Sequence, residues 1–252
     1  MTLYLKSFAL CFLLFPAGAF AQDAIPPGTV LPVQLSSSLN SQRSKPGQTI
    51  TARIMQDVPT SPRRRIRAGA KVTGHVMMVK AAKDGQPGEI TLRFERLNFA
   101  HQSLPITTSL RALASMMEVD EAQVPPGGTD RGTPWAWRTR NLIGGEVAYG
   151  DDGPVARGTE TVGSALAEGV LLPVKANPGS GCRGEVAGNS QPQALWVFSS
   201  DACGVYGLPD VEIVRAGRTA PVGEITLSSK HKNLELRSGS GILLRVNSSD
   251  PR

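Results

Sequence analysis

The sequence predicts a mainly β protein, made of two short-stranded modules of barrel or sandwich type with one or two short helices. Three observations support this fold class. Apolar and polar residues alternate over short runs, as in Gln48–Met55, where Ile50, Ala52 and Ile54 share one face. The 27 glycines and 19 prolines divide such runs at close intervals, which favours antiparallel strands over β-α-β units. Short sequence words also recur in the same order in both halves of the chain.

The recurring words combine a glycine turn with an apolar run. They are Gly-x-apolar-Leu-x-Val (Gly28–Val33, Gly169–Val174, Gly241–Val246), [IV]RAG (Ile66–Gly69, Val214–Gly217) and GEITL (Gly88–Leu92, Gly223–Leu227). Such words can recur by chance in a β-rich chain, and an ancient duplication would also produce them in this order. A duplication predicts two similar modules whose matched words superpose.

Residues 1–21 have the pattern of a secretory signal peptide. Lys6 supplies the positive start, Phe8–Phe15 is apolar, and Ala19–Ala21 fits an A-x-A cleavage site. The apolar run is too short to span a bilayer as a helix, and no later stretch is long and apolar enough to do so. We therefore expect an exported protein, periplasmic or secreted, that begins at Gln22.

The first module covers residues 22–108. Alternation and turn residues predict strands over Thr29–Leu35, Gln48–Met55, Lys71–Lys80, Glu89–Phe94 and Leu104–Thr108. Arg63, Arg64 and Arg65 form the densest positive charge in a chain of net charge +6. They could contact an anion, or they could be a solvated turn. Because no aromatic residue lies between the arginines, we expect no nucleic acid partner.

Residues 109–140 are predicted to be a helix followed by a linker. Ser109–Ala122 has apolar residues at helical spacing, and a stretch rich in proline and glycine follows it. The linker ends in two tryptophans and two arginines, namely Trp135, Trp137, Arg138 and Arg140. Tryptophan and arginine are favoured anchors of interfaces, so these residues are a candidate binding patch. Packing of the linker onto a module is the alternative.

The second module covers residues 141–252. Thr159 could cap a short helix that runs to about Glu168. The apolar run Ala194–Phe198 predicts a central buried strand. Further strands are predicted over Val211–Val214, Glu224–Leu227, Asn233–Leu236 and Ile242–Val246.

Two cysteines, Cys182 and Cys203, remain after removal of the signal peptide. Cysteines of an exported protein usually pair, and a disulfide here would stabilise the fold by about 3 kcal/mol. The alternative is a cysteine nucleophile, which needs a histidine or another cation nearby to lower its pKa. His75, His101 and His231 lie far from both cysteines in sequence and in no recognisable motif. The disulfide is therefore the favoured interpretation.

Several stretches of residues 26–106 together match the pattern of one protein family. They are PPGTVLPVQLSSSLNSQ, the Pro46-Gly47 turn before Thr51-Ala52-Arg53, Asp57-Val58, Arg67–Gly74 and Thr91–Leu97. On these words the first module resembles the β-barrel domain of TrbI-like proteins, the outer-membrane-core subunits of conjugation and type IV secretion channels. The resemblance implies a β-barrel module of the cell envelope.

The rest of the chain departs from that family. TrbI-like proteins usually carry an N-terminal inner-membrane anchor, where this chain has a cleavable signal. They also insert a hydrophobic helical hairpin through the outer membrane, and Ser109–Ala122 is too short and polar for that role. Residues 141–252 resemble no recognised family. The resemblance therefore implies an envelope module rather than a complete channel subunit.

The sequence shows no catalytic signature. It contains no HExxH, no GxSxG, no paired-carboxylate motif and no His/Cys cluster with metal-ligand spacing, so we predict no catalytic residue, metal or cofactor. The favoured function is a non-enzymatic structural or assembly component of the cell envelope, with itself or other envelope proteins as partners. One alternative is a module that binds cell-wall glycan or another polymer. The other is an exported cysteine hydrolase or transpeptidase that acts on peptidoglycan.

Overall fold

The computed structural model describes residues 24–61, 64–100, 102–123, 138–149, 155–157, 160–163, 195–198 and 202–248. The predicted signal peptide and the word Gly169–Val174 lie outside these residues. The strands are β1 (Val30–Leu35), β2 (Leu39–Asn40), β3 (Thr49–Ile54), β4 (Val58–Ser61), β5 (Arg64–Ile66), β6 (Lys71–Lys80), β7 (Gly88–Phe99), β8 (Gln102–Pro105), β9 (Thr108–Ala114), β10 (Arg138–Leu142), β11 (Gly145–Tyr149), β12 (Val155–Arg157), β13 (Glu160–Gly163), β14 (Gly204–Tyr206), β15 (Val211–Arg215), β16 (Ile225–Ser229), β17 (Glu235–Leu236) and β18 (Gly241–Val246). One short helix, α1 (Met116–Gln123), follows β9. The prediction of a mainly β protein is confirmed.

The main sheet is nearly closed into a barrel. Its 10 strands follow the order β14-β9-β18-β1-β3-β6-β7-β16-β15, with β8 paired to β7. Neighbouring strands are antiparallel, except that β14 runs parallel to β9. The backbone N–H of Leu110 in β9 donates to the carbonyl of Ala216, which follows β15, at 2.7 Å. This bond joins the two ends of the sheet, so that few backbone groups face an open edge.

Strands from both predicted modules are neighbours in this one sheet. β1 pairs with β18, and β7 pairs with β16. The two copies of GEITL are strand partners: Leu92 lies opposite Ile225, and Thr91 lies opposite Thr226. The words at Gly28–Val33 and Gly241–Val246 likewise belong to the adjacent strands β1 and β18. The GEITL words and the words at the two ends of the chain therefore lie on paired strands, and a duplication into two separate modules is not shown.

Two stretches predicted to be helical contain strands. Of Ser109–Ala122, the first six residues belong to β9, and the helix begins only at Met116. Every residue of β9 is buried, because the strand is covered on both faces. A strand buried on both faces is apolar throughout and lacks the alternation of apolar and polar residues that would identify it in the sequence. The side chain of Ser115 then caps α1 by accepting a hydrogen bond from the Glu118 N–H at 3.1 Å. Glu160–Gly163, predicted as part of a second helix, is strand β13 paired with β12.

The predicted central strand at Ala194–Phe198 is also wrong. Leu195–Phe198 forms a tight turn, in which the backbone groups of Leu195 and Phe198 bond to each other. Trp196 has φ of 59°, a conformation that no strand residue adopts. The run is apolar because it packs into a buried cluster, where Phe198 is 0% exposed.

The interior of the barrel is packed with apolar side chains. Ten residues surround a cavity of about 10 Å³, and they are Leu35, Leu39, Leu92, Phe94, Leu110, Leu113, Ile225, Leu227, Leu236 and Ile242. A volume of this size holds at most about one water molecule. The part of the barrel interior that these residues surround is therefore filled.

A second apolar cluster covers one side of the barrel. Helix α1 and the turn Leu195–Phe198 lie over the outward side chains of β1, β9 and β18, including Ala112, Ala114 and Leu243. The opposite side, formed by β6, β7, β16 and β15, carries exposed side chains. Of the helices in the part of the chain that the structure describes, none is long and apolar enough to cross a membrane.

Candidate functional site

The basic run predicted as an anion contact lies on and beside the β4–β5 hairpin. Arg63 lies outside the described residues, whereas Arg64 and Arg65 belong to β5. The Arg64 guanidinium lies 5.7 Å from the centre of the Phe99 ring, a cation–π distance. Arg65 lies 3.6 Å from the Asp57 carboxylate. Part of the positive charge is therefore already matched within the chain, and anion binding here stays a prediction.

The Asp57 carboxylate is hydrogen-bonded to the turn that leads into β6. Its carboxylate accepts hydrogen bonds from the Ala68 N–H at 2.9 Å and from Arg67 Nη1 at 2.8 Å. The Ala68 N–H, followed by Arg67 and Arg65, lowers the pKa of Asp57 below its usual value of 3.8. The folded state therefore favours the ionised carboxylate.

We expect Asp57→Asn to destabilise the fold at pH 6 and to have a smaller effect at pH 3. Because the pKa of Asp57 is lower in the folded state, its contribution is fully present above the unfolded pKa, near 3.8, and is lost as pH falls through the folded pKa. Urea denaturation midpoints of both proteins at the two pH values measure this. Asp84→Asn, at an exposed carboxylate, is the control. A loss from Asp57→Asn that is equal at pH 6 and pH 3 would contradict the assignment.

The remaining predicted residues are only partly described. Trp135, Trp137 and Cys182 lie outside the described residues. Arg138 and Arg140 belong to β10, where they lie opposite Tyr149 and Val147 of β11. The binding patch and the disulfide therefore stay predictions.

Cys203 is 2% exposed and lies in a well-bonded segment. The Tyr206 hydroxyl donates to the Cys203 carbonyl at 2.8 Å and accepts from its N–H at 2.9 Å. Burial raises the pKa of Tyr206, so its hydroxyl keeps the proton that it donates. Arg111 Nε donates to the neighbouring Ala202 carbonyl at 3.2 Å. These bonds fix the backbone around Cys203 against β9.

The outer face, defined as the solvent side of β6, β7, β16 and β15, is the candidate functional surface. Its centre is the pair Thr91 and Thr226, whose hydroxyl oxygens are 3.0 Å apart, and Thr91 is only 5% exposed. Met78 of β6 lies opposite Thr91, and Arg215 of β15 lies opposite Thr226. We call Met78, Thr91, Thr226 and Arg215, together with the neighbouring Val214, the threonine row. It crosses the four strands at right angles.

A bulge lies at each end of the threonine row and exposes apolar side chains there. The β6–β7 register shifts between Val76 and Met78, and the β15–β16 register shifts between Ile213 and Arg215. A bulge adds a residue to one strand and turns its side chain away from the regular face. Met77, Met78 and Val214 are accordingly 41%, 47% and 59% exposed. Met77 and Met78 are neighbours on β6, whereas Val214 lies across the face on β15.

Charged pairs border the threonine row on one side. In this Arg93 row, Glu224 beside β16 forms an ion pair with Arg93 of β7 at 2.9 Å. His75 of β6 lies opposite Arg93, and its Nδ1 is 2.9 Å from the Glu95 carboxylate. The side chains of this row are a quarter to a half exposed. Their charges therefore remain accessible to a partner.

A second charged row borders the other side. In this Lys80 row, Glu212 of β15 lies opposite Ser228 of β16, Ser228 opposite Glu89 of β7, and Glu89 opposite Lys80 of β6. Lys80 Nζ is 3.9 Å from Glu89 Oε1. Glu212 and Lys80 thus mark the two ends of the row, three strand spacings or about 14 Å apart.

An open cleft of about 400 Å³ lies elsewhere, between the end of β3 and helix α1. Its lining includes Arg53, Met55, Met116, Asp120 and Gly239. The named side chains are one cation (Arg53), one carboxylate (Asp120) and two thioethers (Met55 and Met116). These groups can contact a polypeptide, and they do not form a nucleophile–base pair.

Among the described residues, no group of three or more His, Cys, Asp or Glu side chains is placed to hold a metal ion. A scan of protein-family models and a search of curated proteins found no match to this chain.

Proposed function

We propose that this chain is an exported, non-enzymatic β-barrel protein that acts as a structural or assembly component of the cell envelope. The observation that carries the proposal is the contrast between the filled barrel and the outer face. The interior cavity of about 10 Å³ has no room for a substrate. The outer face instead presents Met77 and Met78 at one edge and Val214 at the other, with rows of charged residues on both sides of the threonine row.

The resemblance to TrbI-like proteins supports an envelope role. The residues that carry it fall within β1 to β8, and these strands include β6 and β7 of the outer face. The resemblance concerns the barrel alone, so the proposed role is that of a module within an envelope assembly. Identification of the proteins that bind this chain would identify the assembly.

The test is to express the full chain with a C-terminal tag and to recover it from the envelope fraction. We expect a mass that corresponds to Gln22–Arg252 plus the tag, less two hydrogens for a Cys182–Cys203 disulfide, with alkylation only after reduction. Size-exclusion chromatography with light scattering should show a discrete assembly larger than the monomer, because an assembly component must hold a partner.

Different results would contradict different parts of the proposal. Unprocessed chain in the cytoplasm would contradict export. A strict monomer in envelope extracts would contradict the assembly role. Alkylation without prior reduction would contradict the disulfide and favour the cysteine-enzyme alternative.

A further inference from the structure

A row of polar side chains crosses five neighbouring strands near the start of β6. The strand register places five residues side by side, and we call them the Lys71 row: Gln34 (β1), Arg53 (β3), Lys71 (β6), Asn98 (β7) and Ser103 (β8). All five are exposed or partly exposed. The residues on either side of Arg53 in β3 are buried, so the row lies on the solvent side of the barrel.

Two cations of the Lys71 row are strand partners and have no counter-ion in the chain. Arg53 lies directly opposite Lys71, a position in which like charges repel each other. Within the part of the chain that the structure describes, neither side chain forms an ion pair, whereas the nearby Arg65 and Arg67 share the Asp57 carboxylate. An anion from outside the chain would therefore relieve the repulsion between Arg53 and Lys71.

One end of the Lys71 row forms part of the open cleft between β3 and α1. Gln34 and Arg53 line this cleft of about 400 Å³, and on the helix side it is lined by Met116 and Asp120. Clefts of roughly 300–1,000 Å³ are the usual size of small-molecule sites. Asp120, like Arg53, has no ion pair among the described residues. The cleft thus presents an uncompensated hydrogen-bond acceptor close to two uncompensated cations.

From the unpaired charges and the cleft, we propose that the cleft and the Lys71 row together bind an acidic polysaccharide, a glycan that carries carboxylates. Arg53 and Lys71 contact the carboxylates of the glycan, and Asp120 accepts hydrogen bonds from its hydroxyls. The side-chain amides of Gln34 and Asn98 can donate to or accept from either group. This inference goes beyond the proposed function, because it assigns a ligand to a surface at the opposite end of β6 from the Lys80 row.

Asp120 favours a glycan over other anionic partners. The charged groups of a phosphate polymer or of an acidic protein side chain accept hydrogen bonds and donate none, so a carboxylate beside the cations would repel them. A glycan instead carries hydroxyl donors next to its carboxylates. The Lys71 row contains no aromatic side chain on which a nucleic acid base could stack.

The length of the Lys71 row indicates a chain of several sugars rather than a single one. The row spans four strand spacings, or about 19 Å. At its far end, Arg96 of β7 adds a third cation, and its Nη1 donates to Ser103 Oγ at 3.4 Å. The positive charge therefore continues from the cleft to β8.

The experiment is isothermal titration calorimetry of the purified chain with hexagalacturonate, a glycan with one carboxylate on each sugar. We expect a Kd of about 10–100 µM, because the contacts are exposed and few. Added salt should weaken the binding, because two of the contacts are ionic. The neutral maltohexaose, a hexamer of similar length, should bind at least about tenfold more weakly.

Substitutions in the site test each contact. Arg53→Gln and Lys71→Gln should each raise the Kd for hexagalacturonate about fivefold or more. Lys83→Gln is the matched control, because it makes the same charge change at a highly exposed side chain beyond the other end of β6, and it should leave the Kd unchanged. Urea denaturation midpoints check that every variant is folded.

Asp120→Ala is the decisive variant, because two explanations predict opposite results. If Asp120 accepts hydrogen bonds from the glycan, its removal raises the Kd. If charge alone attracts the ligand, removal of a negative charge lowers the Kd. We expect the Kd to rise about threefold or more. Alanine favours helix formation, so the substitution leaves α1 intact.

Three results would overturn the inference. They are a Kd that Arg53→Gln and Lys71→Gln leave unchanged, a lower Kd for Asp120→Ala, and binding of hexaglutamate or polyphosphate as tight as that of hexagalacturonate. The proposed function fails separately. A chain that is never exported but binds hexagalacturonate would overturn the proposed function alone, and an envelope assembly that does not bind it would overturn this inference alone.

Discussion

Gly74→Ala is expected to destabilise the barrel by about 3 kcal/mol or more and to remove most of the soluble folded protein. A Cβ atom at this position would lie 1.9 Å from the Arg93 carbonyl oxygen and 2.7 Å from the Phe94 Cα. Both atoms belong to the backbone of β7, so no side-chain rotation relieves the contact. β6 and β7 would have to separate beside the bulge between Thr73 and Gly74. Urea denaturation measures the loss.

Gly85→Ala provides the control for this prediction. Gly85 has φ of 77°, and a Cβ there would have no atom within 4 Å. The methyl group therefore brings only the backbone strain of a positive φ, about 1 kcal/mol. Equal losses from the two substitutions would show that the close approach at Gly74 is not needed for the fold.

Phe94→Ala is expected to lower the free energy of unfolding by about 3–5 kcal/mol. The Phe94 side chain is 0% exposed and lines the small interior cavity. The strand that carries it, β7, is paired with β6 on one side and with β16 and β8 on the other, so the wall cannot collapse far into the space left by the ring. The free energy of unfolding from urea titration measures the effect.

The matched control is Phe99→Ala, the same change on the same strand. Phe99 is only partly buried and packs against the edge of the core, beneath the guanidinium of Arg64. We expect a loss of at most half that of Phe94→Ala, because less apolar surface leaves the core. A loss from Phe99→Ala as large as that from Phe94→Ala would contradict the filled-barrel description.

The sequence correctly predicts strands in which apolar and polar residues alternate over a short run. Thr49–Ile54 alternates in the sequence, and in the structure Ile50, Ala52 and Ile54 are fully buried. β9 was missed because both of its faces are covered, so its composition resembles that of a buried helix. The cap at Ser115 was a usable signal, since it marks where α1 begins.

The candidate functional surface depends on the pairing of strands that are far apart in the sequence. The two GEITL words were visible in the sequence, but their pairing through Thr91 and Thr226 follows from how the whole sheet closes. The bulges that expose Met78 and Val214 likewise arise from register shifts between distant strands. Alternating polar residues along β7 indicated a solvent-facing side, but not which strands would flank it.

The place of β18 in the barrel has a consequence for the timing of folding. This late strand lies between β1 and β9, with Ile242 opposite Val33 of β1. During synthesis, β1 must therefore wait until β18 has been made before its second neighbour exists. Long-range pairing of this kind makes folding slow. The early strands thus remain without a complete sheet until β18 has been synthesised.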